Sequence, residues 1–481
     1  MRYKTGADKH QLTLLPMCLD DYVPENHICR AISAFTSQLD ILALGFKYAE
    51  TKDTGSSPFN PRMMLDLYLY GYLHRIRSSR RLEAETHRNV EVMWLMDGLT
   101  PDDRTICNFR KDNTKALREV FREFNKLCRA LNLFGGELTA TDGSKFRADN
   151  SRNNNHNKAT VERELSRLDK KISEYLNALD AADAAEAAEE KLSCEQVKAI
   201  LEKLNERKEK YEGYKKRLET ESEISTVDPD ARLMRSGGDA RALDACYNVQ
   251  TIVDDKHHLI VDFDVTTSSD DKGNLQSMSG KAMEVMGVET FTNIADKGYY
   301  DGQDIANCEE GGITCLIAKP KIGGDAVKSE VFCRGGFIYD HENDCYLCPC
   351  GQQLHFGWAQ NYESGKGSRF FLNKKACAKC PRRSECTTAK YRRIERLNYQ
   401  DILDIVDERT RNNKELYRRR REIVEHPFGT IKAVWGYKQF LCRTKSKVTA
   451  ETAMACLAYN FRRVINIFIE NGQDLAAVIG R

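Results

Sequence analysis

The sequence feature that most constrains the fold is a change of pattern at Gly135 and Gly136. Before this glycine pair, apolar residues recur at helical spacing, as in Pro61–Ile76 and Leu117–Leu131, so residues 1–135 are predicted to form an all-α N-terminal domain. After it, β-rich segments alternate with helical ones, which is typical of an α/β domain with a sheet flanked by helices. At 481 residues the chain is too long for one compact core, and we expect several domains.

Two predicted strands end at aspartates. The runs Glu137–Thr141 and Thr290–Ala295 are followed by Asp142 and Asp296, and a β-hairpin is predicted over Tyr247–Val265 between them. Ligands of open α/β sheets bind beyond the carboxyl ends of the strands. The two aspartates are therefore candidates for one shared site.

Two segments are predicted as insertions into the α/β domain, whose first part covers residues 136–320. Residues 158–222 are rich in Ala, Glu, Lys and Leu with periodic apolar positions, which predicts a helical hairpin, interpreted as a structural arm or dimerisation element. Residues 321–390 are rich in Gly, Cys and aromatic residues and are predicted to form a small cysteine-rich domain. Helical patterns return in residues 391–481, the predicted C-terminal part of the α/β domain.

Composition argues against several other classes of protein. No apolar run approaches the ~18–20 residues needed to cross a bilayer, and the N-terminus lacks the apolar core of a signal peptide. We expect a cytoplasmic protein with no membrane partner, whose 17 cysteines stay reduced rather than forming a disulfide framework. The net charge of +2 argues neither for nor against a nucleic-acid partner.

A third candidate acid, Glu425, lies in a strongly basic predicted helix with the sequence YRRRREIVEHPFG. Tyr417, Arg421 and Glu425 stand at i, i+4 and i+8 and share one helical face. Carboxylates are hard oxygen ligands suited to Mg²⁺ or Mn²⁺. The other nearby aspartates are interpreted mostly as loop or surface carboxylates: Asp149, Asp228, Asp230, Asp262, Asp264, Asp301 and Asp304. Of these, Asp262 and Asp264 alternate along one strand face and could approach the site.

Several motifs together resemble the DDE transposases of bacterial insertion sequences. Arg421, Glu425 and Lys432 match the spacing of that family's Y-R-E-K signature, whereas Tyr417 stands one residue farther from the arginine than is usual. The resemblance extends over most of the chain through PRMMLDLYLYGYLHRIRSSRRLE, PDDRTICNFR, DPDARLM, YNVQ and ADKGYYDG. Each motif alone is weak, but together they are specific.

The resemblance implies an RNase H-like catalytic domain in which Asp142, Asp296 and Glu425 hold two Mg²⁺ or Mn²⁺ ions per active site. It implies cleavage at the terminal inverted repeats of an insertion sequence and strand transfer of the 3′-hydroxyl into double-stranded target DNA. It also implies a homo-oligomer, expected to be a dimer on DNA, associated with the bacterial nucleoid. The alternatives are a catalytically inactive DNA-binding descendant and a nuclease that cuts without joining.

Basic side chains near these motifs are predicted to contact DNA phosphates. The predicted DNA contacts are Arg421, Lys432, Tyr417, Lys297, Arg80 and Arg81. For Ser78–Glu83 the alternative is a helix-capping motif with solvated arginines. Trp435 and Tyr437 are interpreted as core residues, with stacking on a displaced base as the alternative.

Six cysteines of the predicted insertion have ligand-like spacing: Cys345, Cys348, Cys350, Cys377, Cys380 and Cys386. Two C-x₂-C pairs among them resemble a zinc ribbon, in which four thiolates hold a structural Zn²⁺. Related transposases carry YxCPxG followed by CxxCxxxxxC, which implies Cys348, Cys377, Cys380 and Cys386 as the ligands. The alternative is a set of reduced cysteines that pack as small apolar residues.

Overall fold

The computed structural model describes residues 18–50, 57–184, 194–235, 243–320, 332–361 and 367–479. Residues 321–331, where the cysteine-rich insertion is predicted to begin, lie outside the described residues. The helices are α1 (Ile28–Ser37), α2 (Pro61–Leu73), α3 (Ser79–Arg88), α4 (Val90–Leu95), α5 (Asp103–Asp112), α6 (Thr114–Ala130), α7 (Lys158–Ala184), α8 (Cys194–Arg217), α9 (Leu275–Met286), α10 (Gly302–Glu310), α11 (Lys374–Lys379), α12 (Arg383–Cys386), α13 (Gln400–Asn412), α14 (Lys414–Phe428), α15 (Lys445–Glu470) and α16 (Leu475–Ile479). The strands are β1 (Leu138–Arg147), β2 (Asn155–His156), β3 (Ile224–Ser225), β4 (Arg232–Arg235), β5 (Leu243–Asp254), β6 (Ile260–Thr266), β7 (Phe291–Ala295), β8 (Ile313–Ile317), β9 (Ile338–Asp340), β10 (Cys345–Leu347), β11 (Gln353–Asn361), β12 (Gly367–Leu372) and β13 (Arg393–Leu397).

The N-terminal region is helical, as predicted. On α6, Val120, Phe121 and Phe124 recur at helical spacing, and all three are buried. The start of α5 is capped by Asp102, whose carboxylate accepts a hydrogen bond of 2.7 Å from the amide of Thr105. A buried apolar stripe thus holds α6 in the core, and a capping carboxylate fixes the start of α5.

The central sheet contains six strands in the order β4-β5-β1-β7-β8, with β6 also paired to β5. Strands β1, β7 and β8 are mutually parallel, and β5 runs antiparallel to both β1 and β6. It follows that β6 points in the same direction as β1, β7 and β8. The carboxyl ends of these four strands therefore lie at one edge of the sheet.

Strand β1 is longer than predicted. The predicted strand ends just before Asp142, but β1 continues to Arg147 because β5 offers backbone partners as far as Cys246, which pairs with Arg147. Pairing with β7, in contrast, stops at Thr141 and Ala295. Asp142 therefore lies inside β1, at the position where β1 passes the end of its parallel neighbour.

Helices cover both faces of the sheet. On one face, the Phe146 ring of β1 lies 6.3 Å from that of Phe428 at the end of α14. On the other face, Asn293 of β7 donates a 2.8 Å hydrogen bond to the hydroxyl of Ser279 on α9. Side chains alternate between faces along a strand, so Asp142 shares the α14 face with Phe146.

The N-terminal helices and the sheet share one continuous hydrophobic core. Helix α15 joins them, since it packs against α2 and α6 as well as against β6. On α15 the Phe461 ring lies 5.2 Å from Phe124 and 6.1 Å from Phe35. The hydrophobic core is thus continuous across the predicted boundary at residue 135.

The predicted helical hairpin contains two long helices, α7 and α8, which pack against each other. Ion pairs link them, including Lys208 with Asp169 at 2.7 Å. At the base of the pair, β2 and β3 form a two-stranded sheet beside a small core that contains Val161 and Leu165. The hairpin is therefore anchored at the end where it leaves the sheet domain.

Residues 332–397, here called the cysteine module, contain a second, five-stranded antiparallel sheet with the order β13-β12-β11-β10-β9. Its last strand, β13, extends beyond the predicted end of the insertion at residue 390. The module has its own core around Tyr346, Phe371 and Ile394. None of the helices in the described residues combines the length and apolar character needed to cross a membrane.

Candidate active site

The register of β1 and β7 brings Asp142 and Asp296 to neighbouring positions. The last residues paired between these parallel strands are Thr141 and Ala295, and each aspartate follows its strand's last paired residue. The backbone fixes the Asp142 carboxylate, since its Oδ1 accepts a 3.0 Å hydrogen bond from the amide of Gly143. The structure thus brings two of the three predicted catalytic acids together.

Burial and negative charge make Asp142 a weaker acid than an ordinary aspartate. Burial raises the pKa of Asp142 to about 6, and the charges of Asp296 and Asp271 act in the same direction. The charge of Arg420 opposes this shift, with its Nη1 atom 3.6 Å from Asp142 Oδ2. A bound cation would relieve the same repulsion between the carboxylates.

Helix α14 supplies basic and aromatic side chains to this edge. Arg420 contacts Asp142, and burial raises the pKa of the nearby Tyr417 hydroxyl. Arg421 and Glu425 are exposed. The arginine that contacts Asp142 is thus Arg420, which the sequence did not single out, whereas Arg421 stays a predicted DNA contact.

Glu425, the third predicted acid, has fewer contacts than Asp142 and Asp296. Its side chain is exposed, and within the described residues it forms no hydrogen bond or ion pair. Its backbone carbonyl accepts a hydrogen bond from the amide of Gly429, at the end of α14. Glu425 therefore lies on the helix that packs against β1, with a carboxylate that has no competing partner in the described chain.

Lys432 lies in a π-helical turn, Gly429–Val434, that follows α14. Its ammonium donates to the hydroxyl of Ser144 at 2.9 Å and to the carbonyl of Lys145 at 2.6 Å. It also lies 4.4 Å from the centre of the Phe146 ring. Burial lowers the pKa of Lys432. These contacts fix the turn to β1 just after Asp142.

Asp271 is a residue of this site that sequence reasoning missed. It lies on the loop between β6 and α9, and its Oδ1 accepts hydrogen bonds from Asn248 at 2.8 Å and Gln250 at 2.7 Å. The available signal was the direction of β6, since a strand parallel to β1 delivers its following loop to the same sheet edge. That direction becomes evident only once the hairpin is paired with β1.

The remaining predicted DNA contacts are on the surface. Lys297, directly after Asp296, is exposed, and so are Arg80 and Arg81 on α3. Arg80 forms an exposed ion pair of 3.2 Å with Asp103 at the start of α5. The Ser78 side chain makes no capping hydrogen bond to α3, so the capping alternative for Ser78–Glu83 lacks its hydrogen bond. Trp435 and Tyr437 are buried, in agreement with their interpretation as core residues.

The cysteines of the module gather around one small cavity of about 30 Å³. Five of them line it: Cys348, Cys350, Cys377, Cys380 and Cys386. Burial, together with neighbouring thiols, raises the pKa of Cys386 to about 11, although Arg392 opposes this shift. Cys345 is buried in β10 and does not line the cavity. The structure thus adds Cys350 to the four cysteines implied by the resemblance.

Another group of possible ligands, His27, Cys29 and Glu91, lies in the N-terminal region with its ligand atoms within 4.8 Å of one another. Hydrogen bonds account for this group, because His27 Nδ1 accepts from the amide of Cys29 and Glu91 accepts from the Tyr70 hydroxyl. Burial raises the pKa of Cys29 to about 12, so its thiol stays protonated. Within the described residues, no other three His, Cys, Asp or Glu side chains have their ligand atoms this close together. The ligand atoms of the aspartates and of the module cysteines are therefore spaced more widely.

Comparison with known families gives two matches. Residues 17–112 match the model described as a transposase domain (DUF772), and residues 347–465 match that of a transposase DDE domain. The second match includes Glu425, Lys432 and the five module cysteines that line the cavity, whereas Asp142 and Asp296 lie outside both matches. No curated protein and no solved structure gives a significant match.

Proposed function

The chain belongs to the DDE transposases of the insertion-sequence type, and on that premise we propose that it cuts DNA at the ends of its element and joins the freed 3′-hydroxyls to target DNA. The main support for the proposal is the parallel pairing of β1 with β7. Its last paired residues are Thr141 and Ala295, so the next residues, Asp142 and Asp296, lie side by side. Two acids next to each other at the end of a parallel strand pair form a suitable start for a cation site.

The sheet supports an RNase H-like catalytic domain. Strands β6, β5 and β1 are antiparallel neighbours, and β7 and β8 continue the sheet parallel to β1. This arrangement places the first acid on the central strand and the second after the next one. It also leaves α14, with Glu425, on the Asp142 face.

The residues at the sheet edge fit divalent cations. Asp142, Asp296 and Glu425 offer only oxygen ligands, which suit Mg²⁺ or Mn²⁺. A buried amide oxygen of Asn248 beside Gly143 has no hydrogen-bond donor in the described chain, which also suits an oxygen-seeking ion. When bound, two such ions activate the attacking oxygen and stabilise the leaving oxygen of a phosphodiester.

The basic residues have separable roles in this proposal. Arg421, Lys297, Arg80 and Arg81 are exposed, and we assign them to contact DNA phosphates, with Arg80 exchanging its surface ion pair with Asp103 for a phosphate. Arg420 balances the charge of Asp142 until DNA and cations bind. Lys432 has two of its three donors engaged with β1, and we assign it mainly to holding the π-helical turn in place.

Two transposon ends must be brought together for insertion, so we propose that the protein acts on double-stranded DNA as a homodimer. The exposed helical pair α7 and α8 is the element best suited to contact a second copy, since its solvent-facing positions carry no role in the sheet core.

We also propose a structural Zn²⁺ in the cysteine module, held by Cys348, Cys377, Cys380 and Cys386. These side chains surround one cavity, and thiolates hold Zn²⁺ at ~2.3 Å in such sites. Metal analysis of the purified protein should give about one zinc per chain, lost in Cys377→Ser and retained in Cys107→Ser, an exposed cysteine of the N-terminal region. Retention of zinc in Cys377→Ser would contradict the assignment.

The proposed activity is tested by a strand-transfer assay on DNA carrying the element's ends, with Mg²⁺ or Mn²⁺. Glu425→Gln should abolish cleavage and joining while DNA binding persists, because a ligand charge is lost without a change of shape. Glu422→Gln is the matched control, an exposed glutamate one turn earlier on α14. Products that are cut but never joined would identify a nuclease, and binding without cleavage by the unchanged protein would identify an inactive descendant.

A further inference from the structure

Asp271 lies on the loop that follows β6, at the same sheet edge as Asp142 and Asp296. We propose that Asp271 is a further carboxylate of the cation-binding site, alongside Asp142 and Asp296. This inference rests on the proposed function, since it assumes that the aspartates bind divalent cations.

The Asp271 carboxylate is held with one oxygen fixed and the other free. Oδ1 accepts from the side-chain amides of Asn248 and Gln250, two buried residues of β5. Within the described residues, no hydrogen bond reaches Oδ2. Asp271 Oδ2 and Asp296 Oδ1 lie 3.3 Å and 2.8 Å from the position that a β-carbon on Gly298 would occupy. The free oxygen of Asp271 and the carboxylate of Asp296 therefore approach the same point beside Gly298.

A buried amide oxygen supplies an independent sign of a missing partner. Asn248 is fully buried, and its Oδ1 has no hydrogen-bond donor among the described residues. This oxygen lies 3.1 Å from the β-carbon position of Gly143, and Asp271 Oδ1 lies 2.5 Å from the same point. Buried carbonyl oxygens in native proteins almost always have a partner. Carboxylate and amide oxygens together form a set that hard divalent cations prefer.

Gly143 and Gly298 allow the Asp271 carboxylate to approach the backbone beside Asp142 and Asp296. Gly143 follows Asp142, and Gly298 follows Asp296 by two residues, and neither has a side chain that would block the carboxylate. Asp271 thus packs against the backbone of both aspartate-bearing segments. Its negative charge adds to theirs, which strengthens the attraction for a cation.

The variant Asp271→Asn separates charge from packing. An asparagine Oδ1 can still accept from Asn248 and Gln250, so the loop keeps its hydrogen bonds while the charge is removed. Asp270→Asn is the matched control, because Asp270 is the exposed neighbour on the same loop. Asp142→Asn serves as the reference for a weakened cation site.

The experiment is a titration of the full-length protein with Tb³⁺ in the absence of DNA, followed by luminescence excited through the aromatic side chains and repeated with Mn²⁺ as competitor. We expect Asp271→Asn to bind Tb³⁺ at least about tenfold more weakly than the unchanged protein, as for other groups that tune metal ligands, and Asp270→Asn to bind it equally well. The rise in melting temperature that Mn²⁺ produces should shrink in the same variant.

The outcomes separate this inference from the proposed function. If Asp271→Asn binds cations like the unchanged protein while Asp142→Asn binds them weakly, Asp271 is excluded and the proposed function stands. If the unchanged protein binds neither ion, both are overturned. Should Asp271→Asn melt below the unchanged protein without cation, the titration is repeated at a temperature at which both proteins are folded, and equal Tb³⁺ binding there would still exclude Asp271.

Discussion

Gly143 shows how one residue limits what the site can contain. Its backbone φ is not in the left-handed region, so alanine is sterically allowed by the backbone. A β-carbon there would nevertheless lie 2.5 Å from both Asp271 Oδ1 and Gln250 Nε2. Both are side chains tied into a hydrogen-bond network, so they cannot move away without losing their partners.

We therefore expect Gly143→Ala to weaken Mn²⁺ binding and DNA cleavage and to lower the free energy of unfolding by ~1–3 kcal/mol, as for other overpacked sites. Calorimetric Mn²⁺ titration and thermal unfolding measure the two effects. The control is Gly280→Ala on α9, where a β-carbon meets no atom within 4 Å and stability should rise slightly. Normal Mn²⁺ binding by Gly143→Ala would show that this packing is not needed for the site.

Asp66 gives the N-terminal helices a predicted pH dependence. Burial raises its pKa to about 7, although the hydrogen bond from the Thr36 hydroxyl opposes the shift. The pKa of this carboxyl is about 4 in the unfolded chain and about 7 in the folded protein. Between these two pH values, the unfolded chain has lost the carboxyl proton whereas the folded protein keeps it. Stability must therefore fall as pH rises through this range. We expect Asp66→Asn to flatten this part of the profile and to be more stable than the unchanged protein at pH 8, as measured by denaturant unfolding. A profile that keeps its slope in Asp66→Asn would exclude this residue as the cause.

Local context in the sequence is sufficient to single out some residues of the candidate site. Asp142 and Asp296 were predicted because an acid after a β-rich run is visible in the sequence, and the register of β1 and β7 brings them together. Asp271 could not be predicted in this way. Its place depends on the pairing of β6 with β5 and of β5 with β1, which involves contacts between distant segments.

Among the elements, α14 and the turn after it show the limit of helical spacing. Helical spacing shows that Tyr417, Arg421 and Glu425 share a face, but adjacent residues on a helix differ by ~100° of rotation. The contact of Arg420 with Asp142 depends on how α14 packs against β1. The π-helical turn at Gly429–Val434 is also outside what a 3.6-residue period can predict. Strand β1 was predicted too short because its partner β5, not its own sequence, supports its second half.

For the turn itself, we expect Lys432→Met to act mainly on stability. Methionine keeps the apolar stem but leaves the Ser144 hydroxyl and the Lys145 carbonyl without their donor, at a cost of ~1–3 kcal/mol. The slope of DNA affinity against salt should stay unchanged in Lys432→Met and decrease by ~1 in Arg421→Met, because only the exposed arginine is assigned to phosphate. Fluorescence anisotropy over a range of salt concentrations measures both slopes. A reduced slope in Lys432→Met would instead assign its third donor to DNA.

At the scale of the whole molecule, the change of pattern at Gly135 and Gly136 correctly separated helical from α/β sequence, but it did not reveal that the two parts share a core. Composition reports local structure, whereas the shared core arises because α15, near the end of the chain, packs against α2 and α6. The cysteine module differs, since its sheet encloses a separate core.

This division predicts how the molecule unfolds. Phe461 lies on α15 between Phe35 and Phe124, and Phe461→Ala should cost ~3–5 kcal/mol, as for other buried phenylalanines. Because the core is continuous, the loss should appear equally in the N-terminal helices and in the sheet. Native-state hydrogen exchange should therefore show α2 and β1 amides losing the same protection. Phe371→Ala, an equally buried phenylalanine of the cysteine module, is the matched control and should lower protection in the strands of the module alone. If Phe461→Ala instead weakens α2 and leaves β1 unchanged, the N-terminal helices form an independent folding unit.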